Sequence, residues 1–207
     1  MKLYYNPGAC SLSPHIVATE AGIPLTLVKV DTKTKTIAKE GDFWAINPKG
    51  YVPALELDDG EVLTEGPAIV QYLADQKPEA QLAPPNGTFA RSRLQETLNY
   101  ITSEIHKSYS PLFKADVLPA VREERIAYLK RRYALIEQQL AGKKYLFGDQ
   151  FTVADAYLFS VTNWARSVSL DLGDFPNLQA FQKRVAGRKS VIQAMRAEGL
   201  IKSQQAA

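Results

Sequence analysis

Apolar and polar residues repeat with mixed periods up to about residue 78, and with a helical period from residue 88 onward. Leu3–Tyr5 is a short apolar run that predicts a strand, closed by a turn at Asn6-Pro7-Gly8. Ile16, Val17 and Ala21 then give a helix its apolar side. Ser11 or Ser13 suits the cap, Pro14 the first turn and Gly22 the stop. Leu25–Val30 predicts a second strand, so the opening is a β–α–β unit with parallel strands and a right-handed crossover. Asp31–Asp42 is polar and lysine-rich and reads as a loop, and Phe43–Ile46 as a helical turn. Ala54–Leu57 and Glu61–Leu63 read as hairpin strands joined at Asp58-Asp59-Gly60, a strong tight-turn signal. Val52-Pro53 precedes them, an X–Pro bond that adopts cis at small cost. Thr64-Glu65-Gly66-Pro67 leads into a helix with Ile69, Val70 and Leu73 on one side.

Pro78, Pro84, Pro85 and Gly87 mark a linker, and nothing beyond reads as a strand. Leu94, Leu98, Ile101 and Ile105 predict a helix over about Phe89–Ser108, with Pro111 past its end. Ile126, Leu129, Tyr133, Ile136 and Leu140 predict another over about Val121–Ala141, stopped by Gly142. Thr152 and Asp155 have the spacing of a capping box, which makes Asp155 structural. The helix behind it, to about Val168, is apolar nearly all round and is expected to be the buried hub. A helix after Pro176 and a short one at Val191–Ala197 complete the helical part, and the tail from Lys202 reads as loose. The expected boundaries are an α/β domain at 1–78, a linker at 79–87 and an all-helical domain at 88–207.

Charge and composition mainly exclude. A net charge of +3, from 25 basic and 22 acidic residues, gives no basic block that suggests nucleic acid. Lys130-Arg131-Arg132 lies on a polar helix face and reads as solvated. No apolar run reaches membrane-spanning length. Pro7 and Gly8 stand where an export signal needs an apolar core. One cysteine excludes an internal disulfide and fits a reducing compartment, the cytoplasm. Two histidines and one cysteine are a poor metal set, so no metal is expected.

The chemistry-bearing residues fall in three groups. A cis Val52-Pro53 bond would turn the Val52 N–H and C=O outward, where they can pair with an extended peptide. The helix start at Gly66 offers N–H groups to an anion, and Glu65 offers a carboxylate to an ammonium. Together these suit a small zwitterionic peptide. Cys10 lies just before a helix start, where the dipole favours a thiolate. Cys10-Ser11-Leu12-Ser13 is a one-thiol form of Cys-x-x-Cys, and a lone cysteine is otherwise a small buried apolar residue. At about 100° per residue, Asn99, Ser103 and His106 share one polar helix face within about 60°, with Gln95 and Thr102 nearby. Spacing alone equally allows a plain solvated face.

Asn47-Pro-Lys-Gly-Tyr-Val-Pro-Ala-Leu55, followed by Leu63-Thr-Glu-Gly-Pro-Ala-Ile69, resembles the glutathione-binding half of cytosolic glutathione transferases. With the opening Met1-Lys-Leu-Tyr-Tyr-Asn-Pro-Gly-Ala-Cys-Ser-Leu-Ser-Pro-His15, the chain resembles the bacterial beta class over its whole length. The resemblance implies a thioredoxin-like domain, an all-helical domain and a homodimer. It implies a glutathione transferase that joins the glutathione thiolate to small apolar electrophiles, in detoxification. Glutathione is the co-substrate. Cys10 would face the glutathione sulfur, either donating a hydrogen bond to it or forming a mixed disulfide, with Ser11 and Tyr5 as rival donors. His106 would hold or polarise the thiol. Val52 would pair with the cysteinyl part, Glu65 and Gly66 would hold the γ-glutamyl end, and Lys35 the glycine carboxylate. Asn99 and Ser103 would reach the γ-glutamyl end within one subunit or across the dimer. Tyr109, Phe113 and Trp164 are candidate walls for the acceptor, expected between the domains, although aromatic residues at helical spacing are more often core. Lowering the thiol pKa by two units takes roughly 2.7 kcal/mol. A thiol transferase or peroxidase working through Cys10 is one alternative. A non-catalytic binding or regulatory protein on the same fold is the other.

Overall fold

The computed structural model describes residues 1–37 and 41–202. Part of the expected 31–42 loop, and the expected loose tail past Lys202, lie outside the described residues. The chain divides into two compact units, Met1–Ala83 together with the segment from Gly187 onward, and Pro84–Ala186.

The first unit is built on β1 (Lys2–Tyr5), α1 (Leu12–Glu20) and β2 (Thr26–Asp31). The first two strands are parallel, with Leu3 opposite Leu27. Two short strands, β3 (Thr36–Ile37) and β4 (Gly41–Asp42), occupy part of the stretch expected to be a loop. α2 (Phe43–Ile46) is the expected helical turn, capped by the Asp42 carboxylate, which accepts from Trp44 N–H at 2.9 Å. β5 (Ala54–Glu56) and β6 (Val62–Thr64) form the predicted antiparallel hairpin, with Gly60 at φ 91° in its turn. β1 pairs antiparallel with β5, and the order among the described strands is β4-β3-β2-β1-β5-β6. α3 (Gly66–Asp75) follows, with Ile69, Val70 and Leu73 buried. Alternation along β1 divides the core. Tyr4 packs with Val30, Phe43, Val52 and Ala54 on one face, and Leu3 is fully buried on the other.

α9 (Lys189–Ala197) packs on α1 within this first unit, whereas the sequence grouped it with the helical domain. The reason is polar as well as apolar. Val191 and Ala194 are buried, and Glu20 of α1 accepts from both Arg188 and Ser190.

The second unit opens with α4 (Phe89–Tyr100), whose Thr88 cap accepts from Arg91 N–H at 3.1 Å. The predicted uniform helix to Ser108 is not uniform. Ile101–His106 is a π-helical turn, in which Lys107 N–H reaches the Thr102 carbonyl, five residues back. α5 (Lys107–Tyr109) and a 3₁₀ turn at Ser110–Phe113 follow. Hydroxyls bond back to carbonyls four residues earlier at Thr102, Ser103 and Ser108, and such competition bends helices. Glu104 anchors the π turn to α6 (Pro119–Leu140). It accepts from the Tyr128 hydroxyl at 2.5 Å and pairs with Arg132 at 2.9 Å. The Tyr128 hydrogen bond, more than the Arg132 charge, holds its carboxyl below the usual range.

α7 (Val153–Thr162) is the predicted hub, with all ten residues buried. Its helix ends at Thr162, and a 3₁₀ turn over Asn163–Val168 carries Trp164. α8 (Pro176–Ala186) completes the unit. Its free N-terminal N–H groups at Asn177 and Leu178 are capped by the Glu137 carboxylate of α6, at 3.0 and 2.9 Å.

The expected capping box is present. Asp155 is 0 % exposed and accepts from Thr152 N–H and Oγ1, both at 2.8 Å, and from Leu146 N–H at 2.9 Å. Asp155→Ala strands these buried donors, and each costs about 1–3 kcal/mol unsatisfied. Urea unfolding is expected to show a loss of at least about 3 kcal/mol on that basis. Asp155→Asn, which still offers one acceptor, is expected to lose less. A loss below about 1 kcal/mol for Asp155→Ala would show the box to be dispensable.

Candidate active site

In the first unit the β1–α1 loop carries Cys10, and three contacts hold that loop. The Ser11 hydroxyl, 0 % exposed, bridges the Asn6 N–H and C=O, both at 3.2 Å. Ser13 Oγ donates to the Cys10 carbonyl at 2.8 Å. Gly8, at φ 72°, donates its N–H to Glu198 Oε2 at 2.9 Å. The other Glu198 oxygen lies 2.9 Å from His15 Nδ1, in a buried pair. A Cβ at Gly8 would meet the Leu200 side chain at 3.3 Å, so the loop is packed as well as bonded. Ser11 therefore closes the loop from the core, and neither Ser11 nor Ser13 makes the side-chain cap expected for α1. Tyr5, the other rival donor, lies at the edge of the core, and burial pushes its hydroxyl pKa up.

Cys10 keeps part of its surface exposed. Its thiol donates to the Val52 carbonyl at 3.3 Å, beside the cis Val52-Pro53 bond. Two opposing effects act on it. A helix start favours charge by about 0.3–1 kcal/mol. Desolvation disfavours it by up to several pKa units, each about 1.4 kcal/mol. Desolvation wins. Burial pushes the thiol up to about 12, against a smaller lowering by the Cys10 and Ser11 N–H groups. The helix start expected to favour a thiolate is thus opposed by burial of the sulfur. Of the two Val52 groups expected to face a peptide, the carbonyl already accepts this proton.

The residues expected to bind the two ends of a peptide have unusual backbones. Lys35 and Glu65 both have positive φ, at 61° and 68°, which is uncommon outside glycine. Such conformations cost of order 1–3 kcal/mol and persist where surroundings hold them. Lys35 Nζ donates to the Gly50 carbonyl at 2.7 Å and lies over the Trp44 and Tyr51 rings. Gly50 is at φ 66°, and a Cβ there would sit 2.7 Å from the Trp44 ring, which would have to shift. The Glu65 carboxylate stands exposed at the cap position of α3, paired with Lys49 at 2.6 Å. Lys49 also donates to Thr64 Oγ1 at 2.9 Å. Gly66 opens that helix and is buried.

In the second unit the π turn changes the expected polar face. Asn99 and Ser103 remain exposed, and Ser103 Oγ donates to the Asn99 carbonyl. His106 leaves their row and is half-buried, its Nδ1 2.6 Å from the Tyr157 hydroxyl of α7. The His106 ring meets Trp164 edge-on at 4.9 Å. Trp164 in turn meets Tyr109 at 5.7 Å and Phe113 at 5.6 Å. The three expected acceptor residues thus form one cluster with His106. Tyr109 is fully buried and backs it, its hydroxyl 2.9 Å from that of Tyr133, whereas Phe113 is 52 % exposed. Burial pushes the Tyr109 pKa up, and that of Tyr133 up to about 12.

Sequence reasoning missed Lys49, Glu198 and Tyr157. Lys49 lies within the quoted peptide-site segment and was readable as a cation near Glu65. Glu198 and Tyr157 have no local signal, being 190 and 51 residues from their partners Gly8 and His106. Among the described residues no group of three or more His, Cys, Asp or Glu gathers as a metal set, and no helix is long and apolar enough to cross a membrane.

Residues 8–76 match the glutathione S-transferase N-terminal domain and residues 101–189 the glutathione S-transferase C-terminal domain. The chain is 46% identical over 200 residues to the glutathione S-transferase GstA of Escherichia coli O157:H7, covering 97% of this chain and 100% of that protein. Among solved structures it is similar to BphK, a bacterial glutathione transferase in a ternary complex, at 54% identity and a TM-score of 0.94, over 96% of this chain and 100% of that one. It is also similar to a sphingomonad glutathione S-transferase complexed with glutathione, at 41% identity and a TM-score of 0.93, over 97% of this chain and 100% of that one.

The Cys10 geometry sets an expectation for labelling. At pH 8, iodoacetamide is expected to modify Cys10 about a thousandfold more slowly than a free cysteine, because the thiolate is the reactive form. The same chain in urea is expected to react at the free rate. A folded-state rate within tenfold of free cysteine would exclude a thiol pKa near 12.

Proposed function

As a member of the glutathione S-transferase family, within its bacterial beta class, this chain is a glutathione transferase, and we propose that it conjugates the glutathione thiolate to small apolar electrophiles with Cys10 as a hydrogen-bond donor to the sulfur. The carrying observation is the Cys10 thiol 3.3 Å from the Val52 carbonyl, to which it donates, with burial pushing its pKa up. An S–H kept protonated by burial is a poor nucleophile and an adequate donor. That favours conjugation over disulfide exchange through Cys10.

Glutathione binding follows from the residues around the thiol. The Val52 backbone pairs with the cysteinyl part of glutathione. The Lys35 ammonium, steadied over Trp44 and Tyr51, takes the glycine carboxylate. Glu65 takes the γ-glutamyl ammonium, which replaces Lys49 in an ion pair already formed. The Gly66 helix start receives the γ-glutamyl carboxylate. Asn99 and Ser103 serve the same end in a homodimer. The acceptor rests on Trp164 and Phe113, with Tyr109 behind them. The thiol proton passes to solvent and the sulfur forms a bond to the electrophilic carbon. A leaving group then departs with its electron pair, or a polarised double bond takes up the pair. Detoxification in the cytoplasm is the role this chemistry serves.

Ultraviolet titration of bound glutathione tests the reading. Its thiol is expected to ionise about two units below the free value of about 8.5, with the pKa rising again in Cys10→Ala and His106→Ala. An unshifted pKa in the wild type would remove thiolate activation and favour a binding protein. Sedimentation at micromolar concentration is expected to give twice the 23.0 kDa chain mass, and a monomer would exclude the homodimer.

A further inference from the structure

Two opposite charges of the first unit, Lys49 and Glu65, meet at one point of its surface, and the chain brings them there from two directions. Lys49 comes from the loop before β5. Asn47, only 2% exposed, fixes that loop. Its Oδ1 accepts from Lys49 N–H at 3.1 Å, and its Nδ2 donates to the Tyr51 carbonyl at 2.7 Å. Gly50 N–H closes the turn on the Asn47 carbonyl at 2.8 Å. Glu65 comes from between β6 and α3, next to Thr64, which pairs with Ala54 across the hairpin. The Lys49 ammonium donates to Glu65 Oε1 at 2.6 Å and to Thr64 Oγ1 at 2.9 Å. The two side chains are 52% and 64% exposed. Their backbones are thus held, and their charged ends stay open to solvent.

The proposed function sends the ammonium of the γ-glutamyl head group to Glu65 and its carboxylate to the start of α3, and the inference rests on that reading. The helix start is poor in donors. Pro67 has no N–H, and the N–H groups of Ala68 and Ile69 both bond the Glu65 carbonyl at 3.0 Å. Of the positions Gly66 to Ile69, at most Gly66 is left for an anion, and one N–H carries no full charge. The full positive charge at this point is Lys49. We propose that Lys49 is the carboxylate half of the γ-glutamyl site, and that the Lys49–Glu65 ion pair reads the α-amino acid head group as a second, opposed ion pair. In such a head group one carbon separates the ammonium from the carboxylate. Their partners must therefore be neighbours, as Lys49 Nζ and Glu65 Oε1 are at 2.6 Å. The ligand ammonium goes to Glu65 and the ligand carboxylate to Lys49, so four charges of alternating sign close a ring. An exposed ion pair contributes little, so opening it costs little. The flexible lysine stem lets the ammonium follow the carboxylate while the loop stays in place. A head group with only one of the two charges leaves one member of the pair unmatched, which is a source of specificity.

Calorimetric binding of glutathione and two head-group analogues tests this with no acceptor present. 4-Aminobutyryl-cysteinyl-glycine lacks the α-carboxylate, and glutaryl-cysteinyl-glycine lacks the ammonium. The wild type is expected to bind each about ten- to a hundredfold more weakly than glutathione, the scale of one hydrogen bond to a charged group. In Lys49→Met, glutathione is expected to bind more weakly, and its advantage over the aminobutyryl compound to shrink at least about fivefold. The advantage over the glutaryl compound is expected to remain, and Lys49→Arg is expected to keep both. Tighter glutathione binding by Lys49→Met would make Lys49 a mere competitor for Glu65 and overturn the inference. An unchanged advantage over the aminobutyryl compound would overturn it too. A wild type that binds the aminobutyryl compound as tightly as glutathione would do so without any variant. A wild type that binds no glutathione would remove the reading of the whole peptide site. Binding with an unshifted thiol pKa would remove thiolate activation alone and leave the Lys49 assignment standing.

Discussion

A carboxylate taken out of water must have its oxygens met, and both units of this protein are organised by one that is. Asp155 in the second unit binds the start of α7 and the backbone at Leu146 to one point. The loop before the hub and the hub itself therefore cannot part without stranding a charge in the interior. Glu198 does the same for the first unit. It holds the loop that bears Cys10 by its N–H at Gly8, and it holds α1 through His15. In each case the apolar burial supplies most of the stabilisation, and the carboxylate decides which arrangement of the backbone receives it.

Cys10 shows the same environment acting on reactivity. Helix-start electrostatics and desolvation pull the thiol in opposite directions, and only their relative size decides its state. Burial pushes the thiol pKa up, and the thiol donates to the Val52 carbonyl.

Much of this was legible in the sequence, for identifiable reasons. The hairpin turn at Asp58–Gly60 and the box at Thr152–Asp155 are written in residues a few positions apart, and both are found as expected. The apolar faces of α3 and α6 follow from spacing, and the burial of α7 from its lack of a polar face. Three things were not legible. The π turn at Ile101–His106 defeats any argument that assumes a constant rotation per residue, and it was this that separated His106 from Asn99 and Ser103. The left-handed backbones of Lys35 and Glu65 have no residue-type signal, since neither is glycine or asparagine. The Cys10 ionisation depends on how much protein surrounds the sulfur, a quantity that exists only after folding.

α9 packs on α1, and the first unit is therefore discontinuous in the chain, while the second is one uninterrupted stretch from Pro84 to Ala186. Synthesis from the N-terminus delivers these pieces in an awkward order. A domain folds as a unit, and ribosomes release about 5–20 residues per second. The helical unit has all its parts as soon as Ala186 emerges. The first unit, although most of it precedes the second in the chain, lacks Arg188, Ser190 and Glu198 until the segment after Ala186 follows. Of the two units, the one begun first is thus completed second, and the loop that carries Cys10 acquires its Gly8 anchor only after the second unit's sequence has been fully read out.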